Sequence, residues 1–104
     1  MKVYIIEGSV SEYEDWAAWI VGVYTSKEKA ERLVVTLDIE ADRRYKEMLD
    51  ALLVKYHYLS KKDKKALSVR ADADEVQSTL DPQMCFYREP AQYAIEEIEL
   101  DEGE

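Results

Sequence analysis

From Ala30 to Leu59 the apolar residues return every three or four positions: Ala30, Leu33, Val34, Leu37, Ala41, Tyr45, Met48, Leu49, Leu52, Leu53, Tyr56 and Leu59. That period marks one buried face of a helix. Lys29, Glu31, Arg32, Asp42, Arg43, Lys46 and Asp50 occupy the opposite face. Thr25-Ser26-Lys27-Glu28 supplies the start, with Thr25 as cap and Glu28 reaching back to it. A helix over residues 26–59 would be about 50 Å long at 1.5 Å per residue. A chain of 104 residues makes a single domain narrower than that. The helix must therefore bend near Thr36–Asp38 or project past whatever it covers.

A helical stripe needs a surface to pack on, and the flanking segments supply strands. Val3, Tyr4, Ile5 and Ile6 make residues 2–7 a strand that is apolar on both faces, as an inner strand is. Gly8-Ser9 breaks the run, and residues 8–16 read as a polar loop. Residues 17–24 read as a second strand, with Trp19, Val21 and Val23 on one face and Ala18, Ile20 and Tyr24 on the other. So short a connection favours antiparallel pairing. Ser60 with Asp63 caps the first of several short helical pieces over 61–80, among them Ala66-Leu67-Val69 and Val76–Leu80. Asp81-Pro82 marks a turn. The last third carries two patterns. Ala91, Ala94, Ile95 and Ile98 form a helical stripe. Tyr93, Ile95, Ile98 and Leu100 form a strand over 92–100 whose face switches at Glu96–Glu97, as a bulge allows. The tail 101–104 is expected to fray.

The net charge is −9 and unevenly spread. Residues 25–58 carry seven bases and seven acids, residues 59–70 five bases and one acid, and residues 71–104 one base and eleven acids. A negative surface repels phosphate backbones, which disfavours general nucleic-acid binding and suits a basic protein partner. One cysteine excludes an internal disulfide framework and fits a reducing compartment. No apolar run reaches the ~20 residues of a membrane helix, and the early acid Glu7 argues against a signal peptide. A cytoplasmic setting is expected.

Several residues together resemble a known group. Lys2-Val3-Tyr4-Ile5-Ile6, Gly8, Trp19, Val21-Gly22-Val23-Tyr24, Ser26 and Glu28-Lys29-Ala30 follow the order and spacing found in small uncharacterised proteins of tailed bacteriophages and prophages. The likeness covers roughly the first 30 residues and the last 20, closing with Asp81-Pro82 and a segment like Tyr93–Leu100. It implies that Tyr93–Leu100 is a strand. It implies an α+β fold in β-β-α(α)-β order: a small antiparallel sheet of three strands, with material for a fourth, and a long amphipathic helix packed on one face. It implies a cytoplasmic setting in a bacterial host. It implies no activity and no catalytic residues.

Candidate chemistry is sparse. His57 is the sole histidine, so no His pair exists for a metal or a relay, and it reads as a surface or packing residue. Cys85 has only Arg88 as a nearby base and reads as an inert thiol, with a Cys85–His57 nucleophile pair as the enzymatic alternative. Asp72-x-Asp74 resembles the start of a calcium loop, but Gln77 and Gln83 stand where its glycine and bidentate Glu belong. No metal or cofactor is expected. Lys61, Lys62, Lys64 and Lys65 read as a solvated face or as partners for the protein's own acidic tail. Glu96, Glu97, Glu99, Asp101, Glu102 and Glu104 read as solvated carboxylates.

The segment around residues 8–16 stands out. Tyr13 and Trp16 are rigid amphipathic rings of the kind that anchor interfaces. Glu12, Glu14 and Asp15 would draw a basic surface. The competing reading folds both rings back over the sheet. Glu12, Tyr13, Glu14, Asp15 and Trp16 are thus the expected partner contacts. The expected function is non-enzymatic: a phage accessory protein that binds and modulates a bacterial host protein, with inhibition of host defence as its concrete form. A self-associating module, dimeric through the long helix, is the alternative.

Overall fold

The first two strands form one hairpin, and most of what the sequence pattern assigned to a loop belongs to it. The computed structural model describes residues 1–12, 14–65 and 69–101, without the side chains of Glu12 and Lys65. Strand β1 is Lys2–Glu12 and strand β2 is Asp15–Tyr24. They pair antiparallel from Tyr4 opposite Tyr24 to Glu12 opposite Asp15. The expected loop over 8–16 is therefore corrected to two strand ends and a tight connection. Its polarity is the alternation of a half-solvated strand: Gly8 and Val10 are buried, while Ser9 is half-buried and Ser11 exposed. Gly8 does not break the strand; it makes room for a ring. A Cβ there would lie 2.6 Å from Cε2 of Trp19, closer than side chains pack.

The register shifts once. Ile6 faces Gly22 but Glu7 faces Ile20, so Val21 is an extra residue on β2. Up to the bulge Ala17, Trp19 and Val21 face the core, and beyond it Tyr24 does. Trp16, Ala18, Ile20 and Val23 are exposed. The expected grouping of Val23 with Trp19, and of Tyr24 with Ile20, is reversed past the bulge.

Gln92–Glu99 is strand β3, paired antiparallel to the other side of β1 from Lys2 opposite Glu99 to Ser9 opposite Gln92. The sheet order is β2-β1-β3, with three strands among the described residues and β1 in the centre. The register of β3 runs without a bulge. Tyr93 and Ile95 face the core, and Ile98, opposite Val3, reaches the other face by plain alternation.

Helix α1 spans Lys27–Lys55. Its cap is Ser26, whose extended backbone lets the hydroxyl accept from the Lys29 amide at 3.3 Å. The expected cap, Thr25, lies one residue outside. Capping of this kind contributes about 1 kcal/mol. Ala30, Leu37 and Ala41 are buried against the sheet, flanked by Leu33, Val34, Tyr45 and Met48. The outer face and its flank carry ion pairs of Arg43 with Glu40 and Glu47, Arg44 with Glu40, and Lys46 with Asp42. The helix is unbroken through Thr36–Asp38. Its 29 residues span about 43 Å, and no α1 side chain beyond Met48 belongs to the core. Its last two turns project, which makes the molecule 64 Å long and only 26 Å across. The helix stops at Lys55 rather than at residue 59; the Tyr56 amide closes it on the Leu52 carbonyl at 3.0 Å. No helix among the described residues is long and apolar enough to cross a membrane.

The remaining chain closes the core beside α1. Helix α2 is Lys61–Lys65, capped by Ser60, which accepts from the Asp63 amide at 3.3 Å. Positions 66–68, part of another expected helical piece, lie outside the described residues. Helix α3 is Ala73–Val76 and ends at Gln77, whose φ of 51° is left-handed. The helical reading of Val76–Leu80 is thereby corrected. A single bridge joins Ala71 to Phe86. Ala71, Val76, Met84, Phe86 and Ala91 enter the core with Tyr4, Ile6 and Val10.

Candidate functional site

The hairpin tip is the region where the sequence placed its partner contacts. Glu12 and Asp15 face each other across a two-residue connection. Glu14 and Asp15 are exposed. Trp16, opposite Ser11, is 66% exposed. Of the two readings for Trp16, the structure takes the exposed one. Tyr13 and the Glu12 side chain lie outside the described residues. The tip therefore brings Glu14, Asp15 and Trp16 together at the end of a paired ribbon.

Trp16 does not stand alone. Pairing places Trp16, Ala18, Ile20 and Val23 of β2 on one face with Ile5 of β1 and Ala94 and Ile98 of β3. Ile20 is 60% exposed and Val23 57%. The helix and the 69–91 segment cover the other face, where the core residues point. A solvated sheet face ordinarily alternates to polar side chains, whereas this one carries an apolar row. Glu7 and Glu96 interrupt it, beside a shallow depression of about 140 Å³ lined by Glu7, Ser9, Ala94, Ile95 and Glu96. Sequence alternation missed this row, because the bulge that turns Val23 outward leaves no mark in the residue types.

The other feature missed is a buried polar knot. Asp81 is 1% exposed, and its Oδ2 accepts from Trp19 Nε1 and from the Tyr93 hydroxyl, each at 2.7 Å. Its Oδ1 accepts from the Gln83 amide at 3.1 Å, and its own amide donates to Ser78 Oγ at 3.3 Å. The Trp19 and Tyr93 rings meet edge to face with centroids 6.4 Å apart. Burial, and then the Asp81 carboxylate, push the Tyr93 phenol far above its ordinary range, so it stays a donor. In the sequence Asp81 reads only as half of an Asp-Pro turn; nothing local distinguishes a buried carboxylate from a solvated one. The knot joins β2, β3 and the 78–83 turn, and all its described buried side-chain polar atoms are satisfied. It is a brace and offers no open reactive group.

The nucleophile pair is not assembled. His57 is exposed in the turn after α1, its Nδ1 3.2 Å from the Val54 carbonyl and its ring against Tyr58. Cys85 is half-buried at the core margin, and no hydrogen bond links the two. Burial first, then Asp72 and Asp81, push the Cys85 thiol up, the reverse of what a nucleophile needs. At pH 8, alkylation of Cys85 by iodoacetamide is expected to run about tenfold or more slower than that of an unstructured thiol. An equal rate in a kinetic mass-spectrometric assay would make it a reactive cysteine after all.

Asp38 is also pushed up by burial, against the pull of the Tyr93 backbone amide. Among the described residues no three His, Cys, Asp or Glu side chains group to hold a metal ion. In the acidic strand, Glu97 pairs with Lys2 at 3.3 Å and Glu99 with the chain's amino terminus at 3.4 Å. Lys61 and Lys62 are exposed, and no described ion pair ties them to the acidic strand; the Lys65 side chain lies outside the described residues.

These features define a small α+β domain whose irregular chemistry lies on its surface: an indole-bearing tip and a bare sheet face. A family model described as a domain of unknown function, DUF7336, matches residues 1–61, and the chain belongs to that family. The matched part holds the hairpin and α1; β3 and the Asp81 turn lie beyond it. No protein of curated function and no solved structure matches the chain.

Proposed function

We propose that this domain acts by binding another protein through the β1–β2 hairpin tip, without catalysis. The contact residues are Glu12, Tyr13, Glu14, Asp15 and Trp16. The observation that carries this reading is Trp16, held 66% exposed at the end of a paired ribbon beside the carboxylates of Glu14 and Asp15. An exposed, preorganised indole loses little freedom on binding and so anchors an interface. Flanking carboxylates speed encounter with a basic surface. In this reading the partner is a bacterial host protein, met in the host cytoplasm. The domain serves as a phage accessory factor, with interference in host defence as its most concrete role. Its support is the resemblance of the opening strands to small phage proteins, the single cysteine and the net charge of −9.

The test uses a purified partner taken from bacterial lysate, titrated by calorimetry against wild type and Trp16→Ala. The expected result is a Kd raised about thirtyfold or more, the loss of one hot-spot residue. A slower on-rate at low salt, converging on the wild-type rate at high salt, is expected for the Glu14→Gln, Asp15→Asn double variant. An unchanged Kd for Trp16→Ala removes the tip from the interface.

A second reading, self-association through the long helix, is favoured by Val54 and Tyr58, which are strongly exposed at the projecting end of α1 and the turn beyond it.

A further inference from the structure

The two edges of the sheet differ in a way that concerns a second copy of the chain. β3 carries Glu96, Glu97 and Glu99. Charged side chains along an edge deter pairing with another strand. β2 is the other edge, and from Trp16 to Tyr24 it carries no charged residue. Among the described residues no backbone hydrogen bond joins it to any element but β1. On an edge strand, alternate residues aim their N–H and C=O groups outward, a ready template for a further strand.

We propose that two copies of the chain pair antiparallel through β2, about a two-fold axis at Ala18, to form one six-stranded sheet. The inference does not rest on the reading of the hairpin tip, although the two share Trp16. Charge selects the edge at which a second copy can pair, and the self-complementary side chains of β2 select the copy itself. Each chain carries −9, so two copies can meet only where their acids stay apart. Pairing through β2 puts both acidic β3 strands on the outer rims, two strand spacings or about 10 Å beyond β2 on each side. Pairing through β3 would stack Glu96, Glu97 and Glu99 on their own copies. The side chains select the register. An axis at Ala18 keeps every residue on its own face and sets Trp16 of each copy opposite Ile20 of the other, an aromatic–β-branched pair. Asp15 then stands opposite Val21, so no like charges meet. The bulge at Val21 ends the pairable run, which leaves about seven residues and ~24 Å of seam. The apolar rows of the two open faces join across it, as an isologous interface requires.

Sedimentation equilibrium of the full chain tests this. Wild type is expected to reach twice its 12.1 kDa mass at micromolar to millimolar concentration. Ala18→Lys sets two like charges directly opposite each other at the axis, and should raise the dimer Kd at least a hundredfold while the circular dichroism spectrum is unchanged. If Ala18→Lys disturbs that spectrum, Ile20→Lys, at a site already 60% exposed, replaces the apolar partner of Trp16 across the seam and should raise the dimer Kd at least tenfold. A wild type that stays monomeric throughout overturns the proposal. So does a dimer that survives these lysines, since that contact lies elsewhere, as on the projecting end of α1. A monomeric Ala18→Lys that still binds a partner through the tip leaves the reading of the tip intact, so the two ideas fail separately.

Discussion

Replacing Asp81 with alanine is expected to destabilise the domain by about 3–5 kcal/mol, a large part of the ~5–15 kcal/mol that holds a domain of this size together. Oδ2 of Asp81 takes both the Trp19 Nε1–H and the Tyr93 hydroxyl at 2.7 Å, and Asp81 itself is only 1% exposed. Truncation leaves the buried Tyr93 hydroxyl and the part-buried Trp19 Nε1–H without their acceptor, at about 1–3 kcal/mol each, and frees the Gln83 amide as well. The loss also disconnects the 78–83 turn from β2 and β3, so the rings should lose their fixed environment. Urea unfolding followed by near-ultraviolet circular dichroism measures both effects. Asp81→Asn keeps one carbonyl oxygen for the two rings and should cost clearly less. An unchanged midpoint for Asp81→Ala would show that the knot stabilises nothing.

Gly8→Ala is expected to cost about 2–4 kcal/mol, although it adds one methyl group to a strand interior. The added Cβ would sit 2.6 Å from Cε2 and 2.7 Å from both Cζ2 and Nε1 of Trp19. The indole has little room to yield, since Asp81 holds its nitrogen and Tyr93 meets it edge to face. Any shift that relieves the clash lengthens the hydrogen bond to Asp81. The two sites are therefore coupled through one ring, which a double-mutant cycle detects. In a Trp19→Leu background Gly8→Ala should cost at least about 1 kcal/mol less than in wild type. Equal costs in the two backgrounds would assign the effect to the backbone of β1 instead.

These two residues also mark how far the sequence could be read. The long apolar stripe of α1 was legible because its face follows from period alone; Ala30, Leu37 and Ala41 are buried as that period requires. The central position of β1 was legible because both of its faces are apolar near Ile5 and Ile6. Gly8-Ser9 misled because a glycine that admits a ring and a glycine that ends a strand are the same residue in sequence. Val23 misled because a bulge adds a residue to the count without changing composition. Tyr93–Ile98 fits a helix or a strand by pattern, and pairing with β1 decides it. Of the tip, the sequence marked Trp16 as a residue with two destinations, and the exposed one is observed.

What the residues determined alone is local: where α1 runs, which side of it is greasy, how charge is shared along the chain, and that no His pair exists. Periodicity and charge are properties of neighbours in sequence, so they need no fold to be known. Tertiary structure decided which strand lies at which edge, which side of the sheet stays bare, and which carboxylate is buried. Each of these depends on contacts between distant segments, as when Asp81 meets Trp19 across 62 positions of chain, and only a folded backbone brings such pairs within 3 Å.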